Sequence, residues 1–561
     1  MSLEFAKLAN DYEKSLFNYS PELGLFWGKL DVALDRFTDY SQEALHKWQA
    51  QEDIFLKNLN LIREENLRDT PEYYYTYLLL KETLINKQES RICREELWDI
   101  NPAWGWHNKM AIVASKQPVG STKYRTLALK RWQTFDTVVD SQITNLNEGL
   151  KLSYTAPKSA VRRVLTQLKI MLTKSPEDSP FFDFAKRDGD KAFKIQVAQI
   201  IETIINPALN KYIQYLEQSY LPKTRTEIGI WALPNGSECY QAKIKQETTL
   251  ALTPQEIHTI GLQTLETLAK EIIAIGGKKY GTKDIKIIFS KAKLESLNYF
   301  ASEEDILNYN LQALERVKLI ISDWFDLMPR AAGTIKPYPL HRAKTGASGE
   351  YHPPSEDGKE PGIFFINTFE PSKRSRMDME ATLFHELIPG HHFQIALNFE
   401  NKSLLSLNKY LWNAGYGEGW ALYVERLVDE MSLYSDDISR LGMLSNESLR
   451  AARLVVDTGI HALQWTREEA IAYLVEHTAL DESIIQAEVD RYTMLPGQAT
   501  SYMLGKWQIE KLRHLAQHEL GNKFKISQFH NQILNHGVVS LPILKTILEN
   551  WIVETKNSNF T

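Results

Sequence analysis

Within eight residues the chain places His385, Glu386, His391 and His392, in the stretch MEATLFHELIPGHHFQIALNF (379–399). A His-Glu pair on a helix opens a zinc-binding pattern. In it a second histidine four residues on shares the ion, and the glutamate serves as a general base. Here that fourth position is Pro389. In an unbroken helix His391 would point about 120° away from His385, and His392 would lie about 10 Å further along the axis. Neither could then share an ion, because zinc–nitrogen bonds are about 2 Å long. Pro389 has no N–H to give the carbonyl of His385 and pushes it away, and Gly390 allows backbone angles closed to other residues. Pro389-Gly390 can therefore bulge the chain and bring His391 or His392 back beside His385.

A carboxylate would complete such a site. Glu418 sits in GYGEGWALYVERLVDEM, bracketed by Gly415, Gly417 and Gly419. Two histidines, one glutamate and an open position form a catalytic zinc set. Glu425, two turns on and on the same face, is placed to orient a ligand histidine. Arg453, Asp457 and His461 follow at i+4 steps along one helix face. His461 is a candidate donor to a developing oxyanion. In RYTMLPGQATSYMLG, Tyr502 could donate to a tetrahedral intermediate and Arg491 could bind a carboxylate. Asn367, Tyr492 and Gln498 complete the candidate substrate contacts.

The elements that must position these residues read as mainly helical. The apolar residues of 379–399, Leu383, Phe384, Leu387, Ile388, Phe393 and Leu397, recur at roughly helical spacing. Residues 1–225 carry the same three- and four-residue spacing almost throughout, as a helical scaffold half before a catalytic half at 226–561. Thr253 with Pro254 opens a helix. Three places read as β: two strands flanking Pro234-Asn235-Gly236, Asp284–Ser290 (DIKIIFS), and Gly362–Phe369 (GIFFINTF). The last could border a cleft and pair with an extended peptide. Residues 331–370 are the least helical, rich in Gly and Pro.

Composition narrows the class. The chain has 561 residues, 43% hydrophobic and 24% charged, enough for a large core in one domain. A net charge of −6 without a long basic run speaks against nucleic acid. Cys93 and Cys239, far apart, exclude a disulfide framework and leave the compartment open. No apolar run reaches a transmembrane length, and no signal peptide is visible after Met-Ser-Leu, although an export signal removed upstream would leave the same start.

Four ordered motifs, HELIPGHHFQ, GYGEGWALYVE, VVDTGIHALQWTREEAIAYL and RYTMLPGQATSYMLG, resemble domain-of-unknown-function family 885 of bacteria. PSEDGKEPGIFFINT and SPELGLFWGKLDVALDRFTDYS extend the likeness to nearly the whole chain. Members of that family are often labelled candidate lipoproteins or candidate zinc peptidases. More distantly the arrangement is similar to helical zinc carboxypeptidases and angiotensin-converting enzyme. That resemblance implies a large helical fold with a deep central cleft and a small antiparallel β element. In those enzymes the second ligand histidine follows a glycine, as His391 follows Gly390, so the resemblance favours His391, with His392 as its substitute.

The expected function is zinc-dependent hydrolysis of short peptides. One Zn2+ per chain would sit on His385, His391 and Glu418, with Glu386 as base. Rival readings are a zinc hydrolase of a non-peptide amide and a non-catalytic peptide- or metal-binding protein. An intact Glu386 speaks against the last.

Overall fold

Several helices begin where the sequence supplies a cap. Thr253 and Glu256 form a reciprocal capping box in front of Pro254–Ile272. Asp284 accepts from the Ile287 N–H at 3.1 Å and opens a helix over Ile285–Leu294. DIKIIFS is therefore helical, not a strand: Ile288, Phe289 and Ala292 bury one face at helical spacing, and this outweighs the β-branched composition. The two strands expected around Pro234-Asn235-Gly236 are likewise absent. The turn is real, with Asn235 left-handed at φ 54°, but it leads straight into a helix over Gly236–Thr248. That helix buries Cys239, Tyr240, Lys243 and Ile244.

In this computed structural model the chain is described over residues 2–172, 175–295, 298–338, 349–356 and 358–558. The fold is mainly α. Two long helix pairings form the frame of the C-terminal half. Helix Pro254–Ile272 lies along Asp437–Ala462, and Ala414–Glu430 lies along Ser501–Leu520. Helix Gly236–Thr248 joins this frame to Pro71–Ser90 of the N-terminal half. One continuous hydrophobic cluster runs from Phe5 through Trp132, Leu383 and Trp420 to Ile552. No helix among the described residues is long and apolar enough to cross a membrane.

Cys93 and Cys239 form a disulfide with Cα atoms 4.9 Å apart, across a sequence separation of 146. Two distant cysteines make no disulfide framework, yet the structure closes one bridge between them, which staples Gly236–Thr248 to the scaffold half.

The β element is a three-stranded sheet in the order β1-β3-β2, with β1 Gly333–Pro337, β2 Gly349–His352 and β3 Gly362–Ile366. It is mixed, not purely antiparallel: β1 runs parallel to β3, and β2 antiparallel. GIFFINTF does supply a strand, but β3 is central, with both edges already paired, so it has no free edge for a substrate peptide. Residues 339–348 of the Gly- and Pro-rich stretch lie outside the described residues.

Candidate metal centre

The helix that carries His385, Met379–Glu386, stops at the His-Glu pair. Leu387 (φ −106°, ψ −101°) and Gly390 (φ −78°, ψ −133°) then leave helical geometry, and the Ile388–Pro389 bond between them is cis. A second helix, His391–Glu400, starts at the next histidine. Gly390 is required by contact: a Cβ there would lie 1.9 Å from the carbonyl oxygen of His385. Trp420 pins the connection, donating from Nε1 to the Pro389 carbonyl at 3.0 Å.

This break folds His391 back onto His385, with ring centroids 4.8 Å apart and planes at 88°. Glu418 Oε2 lies 3.5 Å from His385 Nε2 and 3.4 Å from His391 Nε2. One donor atom from each of the three residues lies within 4.8 Å of the others, close enough to share one ion. Behind them, Glu425 Oε1 accepts from His385 Nδ1 at 2.8 Å. This fixes the ring with Nε2 free to face Glu418.

The electrostatics are those of a cation site. Burial works against a charged His385, yet hydrogen bonds to Glu418 and Glu425 outweigh it and push the imidazole up to about 10. Burial alone would raise Glu418; His385 and His391 hold it well below the usual carboxylate range. The surroundings of His385 and Glu418 thus favour positive charge between them, and two imidazoles with a carboxylate make a donor set that suits zinc.

Glu386 is half-buried beside the triad, and its carboxylate makes no hydrogen bond to a described residue. Its charge, after burial, raises the phenol of Tyr351 on β2, which places that strand next to Glu386. His392 turns the other way. It bonds Tyr351 Oη at 2.9 Å through Nδ1 and the Ala331 carbonyl at 3.0 Å through Nε2. Both nitrogens are consumed in holding the sheet, so His392 is no substitute for His391.

Glu418 and Tyr502 are brought together by glycines. A Cβ on Gly505 would fall 1.9 Å from the Gly415 carbonyl oxygen and 2.6 Å from Gly419 Cα. Helices 414–430 and 501–520 thus touch backbone to backbone. Tyr502 is half-buried, its phenol raised by burial and then by the charge of Glu418. Gly505→Ala must part the two helices. It is expected to cost about 1–3 kcal/mol and to weaken metal binding with it; an unchanged melting temperature would contradict this packing.

Other candidates are placed elsewhere. His461 is fully enclosed and pushed down to about 3 by burial. Its Nδ1 accepts from the Ile230 N–H at 3.1 Å, so Nε2–H donates to the Tyr492 carbonyl at 3.0 Å. No N–H remains for an oxyanion, and its role is to tie loops together. Tyr492 is buried, accepting from Arg453 Nε and donating to Glu488, each at 2.8 Å, so it cannot reach substrate. Asn367 is buried and accepts from the Phe369 N–H at the end of β3.

Arg491 bonds Glu488 and Gln498, at 2.9 Å and 2.6 Å. Arg453 bonds Glu488 and underlies the Tyr502 ring at 4.9 Å, so this network props Tyr502. Asp457 accepts from Tyr240 and the Gly497 N–H, away from the ligand histidines; burial raises it to about 7. Sequence reasoning missed Tyr351, Trp420 and Tyr240. All three act across long sequence separations that leave no local pattern.

Fold and site together describe a large helical protein with a two-histidine, one-glutamate cluster backed by further carboxylates. The chain belongs to the family of bacterial proteins of unknown function DUF885, which matches residues 21–548. A candidate lipoprotein from Colwellia psychrerythraea is similar over 99% of both chains, with 27% identity and a TM-score of 0.92. A candidate lipoprotein of unknown function from Shewanella oneidensis shares the fold at 16% identity and a TM-score of 0.78, over 97% of this chain and 99% of that one. No curated protein matches the chain.

Proposed function

We propose that this protein is a zinc-dependent peptidase acting on short peptides. The observation that carries the reading is the convergence of His385, His391 and Glu418 beside a Glu386 carboxylate that no described residue engages. Zinc held there supplies a Lewis acid that polarises a carbonyl and acidifies water. Glu386, next in the chain to His385, takes a proton from the attacking water and returns it to the leaving amine. Tyr502 donates its phenolic hydrogen to the carbonyl oxygen as charge builds there. Glu425 holds His385 in the tautomer that presents Nε2.

Export from the cytoplasm is part of the same proposal. The Cys93–Cys239 bridge suits an oxidising compartment, and the Colwellia and Shewanella structures both carry the lipoprotein description.

Elemental analysis of wild type and His385→Ala, side by side, tests the centre. About one zinc per chain is expected in the wild type and a large loss in the variant. A wild type that takes up no metal when zinc is offered would end the peptidase reading.

A further inference from the structure

Helix 379–386 buries most of its surface. The residues it leaves partly open are Thr382 and Glu386, with Asp378 one step before its start. Spaced four apart, these three form a single stripe along one face. A cavity of about 200 Å3 opens on the Asp378 and Thr382 end of that stripe. Its apolar wall includes Tyr299, Phe364 and Ile366 of β3, and Leu480. Thr382 and Glu386 lie about 6 Å apart along the helix axis, the span of about two extended residues. A chain reacting at Glu386 would thus reach the cavity with its next one or two residues.

The charged rim is unevenly satisfied. Lys293 is paired with Asp481 at 2.7 Å, and Lys373 with Glu370 at 2.9 Å. Arg374 is half-buried and gives only its Nε, to the Phe369 carbonyl at 2.9 Å. Its terminal nitrogens have no partner among the described residues. Burial lowers this guanidinium, and Glu370, its nearest counter-charge, is already taken by Lys373. Asp378 is pushed up by burial, against the pull of Lys293 and Arg450, which weakens the one carboxyl on the rim that forms no ion pair among the described residues. A desolvated fork of two N–H groups over an apolar wall fits a carboxylate attached to an apolar side chain.

We propose that this cavity binds the carboxyl-terminal residue of the substrate, with Arg374 on its carboxylate and the apolar wall on its side chain. The enzyme is then a carboxypeptidase that removes one or two residues from peptides ending in a large apolar residue. This rests on the peptidase reading above and names the substrate class for the same site.

Calorimetric binding of N-acetyl-leucyl-phenylalanine and of its carboxamide to the full chain before zinc is added tests the cavity without turnover. The free acid is expected to bind about ten- to a hundredfold tighter than the amide. Arg374→Ala should erase that gap while leaving affinity for the amide unchanged. Equal binding of acid and amide by the wild type, which needs no variant to fold, would overturn the assignment. So would a preference governed by a free amino terminus in unacetylated peptides.

Turnover of longer peptides by the zinc-loaded protein separates the two claims. Selective acid binding without any cleavage would sink the peptidase reading and spare the cavity. Equal cleavage of free-acid and amidated peptides would spare the peptidase reading and sink the cavity's role.

Discussion

Glu386→Gln is expected to lower turnover by about 10²–10⁴-fold and to leave metal content and ligand affinity close to wild type. The size of the effect follows from position. Glu386 is the residue after the first ligand, on the open stripe of its helix, and no described partner competes for its carboxylate. The amide fills the same space without offering a proton acceptor of comparable basicity. His385, His391 and Glu418 make no hydrogen bond to it, so the cluster should survive the change. Single-turnover kinetics with elemental analysis on one preparation would check both halves. A variant that retains near-normal kcat would remove Glu386 from the mechanism, whatever its metal content.

Removing the Cys93–Cys239 bridge is the largest stability change foreseen. Closing a loop of 146 residues restricts the unfolded chain by about 5 kcal/mol on the chain-entropy estimate. Both cysteines are buried, so the paired Cys93→Ala/Cys239→Ala variant avoids leaving a lone thiol in the core. Its urea midpoint should fall steeply relative to the oxidised wild type, and reducing the wild type should reproduce most of the fall. Coincident midpoints with and without reductant would mean that the bridge does not form in solution.

How much of this was legible in the sequence differs residue by residue. That His385, His391 and Glu418 would converge could be read because metal-binding chemistry restricts residue types, and because Pro389-Gly390 announces a break at the place where one is needed. Glu425 followed from helical periodicity alone. The helical class was equally plain, since three- and four-residue spacing is a property of neighbours along the chain.

His461 misled for the converse reason. Its i+4 relation to Asp457 is the same for a catalytic and a structural histidine. What decides is the Ile230 N–H and the Tyr492 carbonyl, both delivered by remote segments. The pairing of Gly333 with Gly362 is also non-local, so a strand could be recognised in GIFFINTF while its central place in a mixed sheet could not. DIKIIFS shows local signals in conflict, with the Asp284 cap and the buried face prevailing over β-branched composition. The disulfide had no local signal at all.

The adjacent pair His391 and His392 has a mechanical consequence. One imidazole faces the ligand cluster, and the next, with a single peptide unit between them, is clasped by Tyr351 and the Ala331 carbonyl. Gly333 and Gly362 close on that second ring so tightly that a Cβ on either would come within 3 Å of it. The three strands and the ligand cluster are therefore geared to each other through one rigid amide plane. A sheet that tilts must turn that plane, and with it the direction in which His391 offers its lone pair. The tilt of the sheet and the aim of the His391 lone pair are in this sense two readings of one dial.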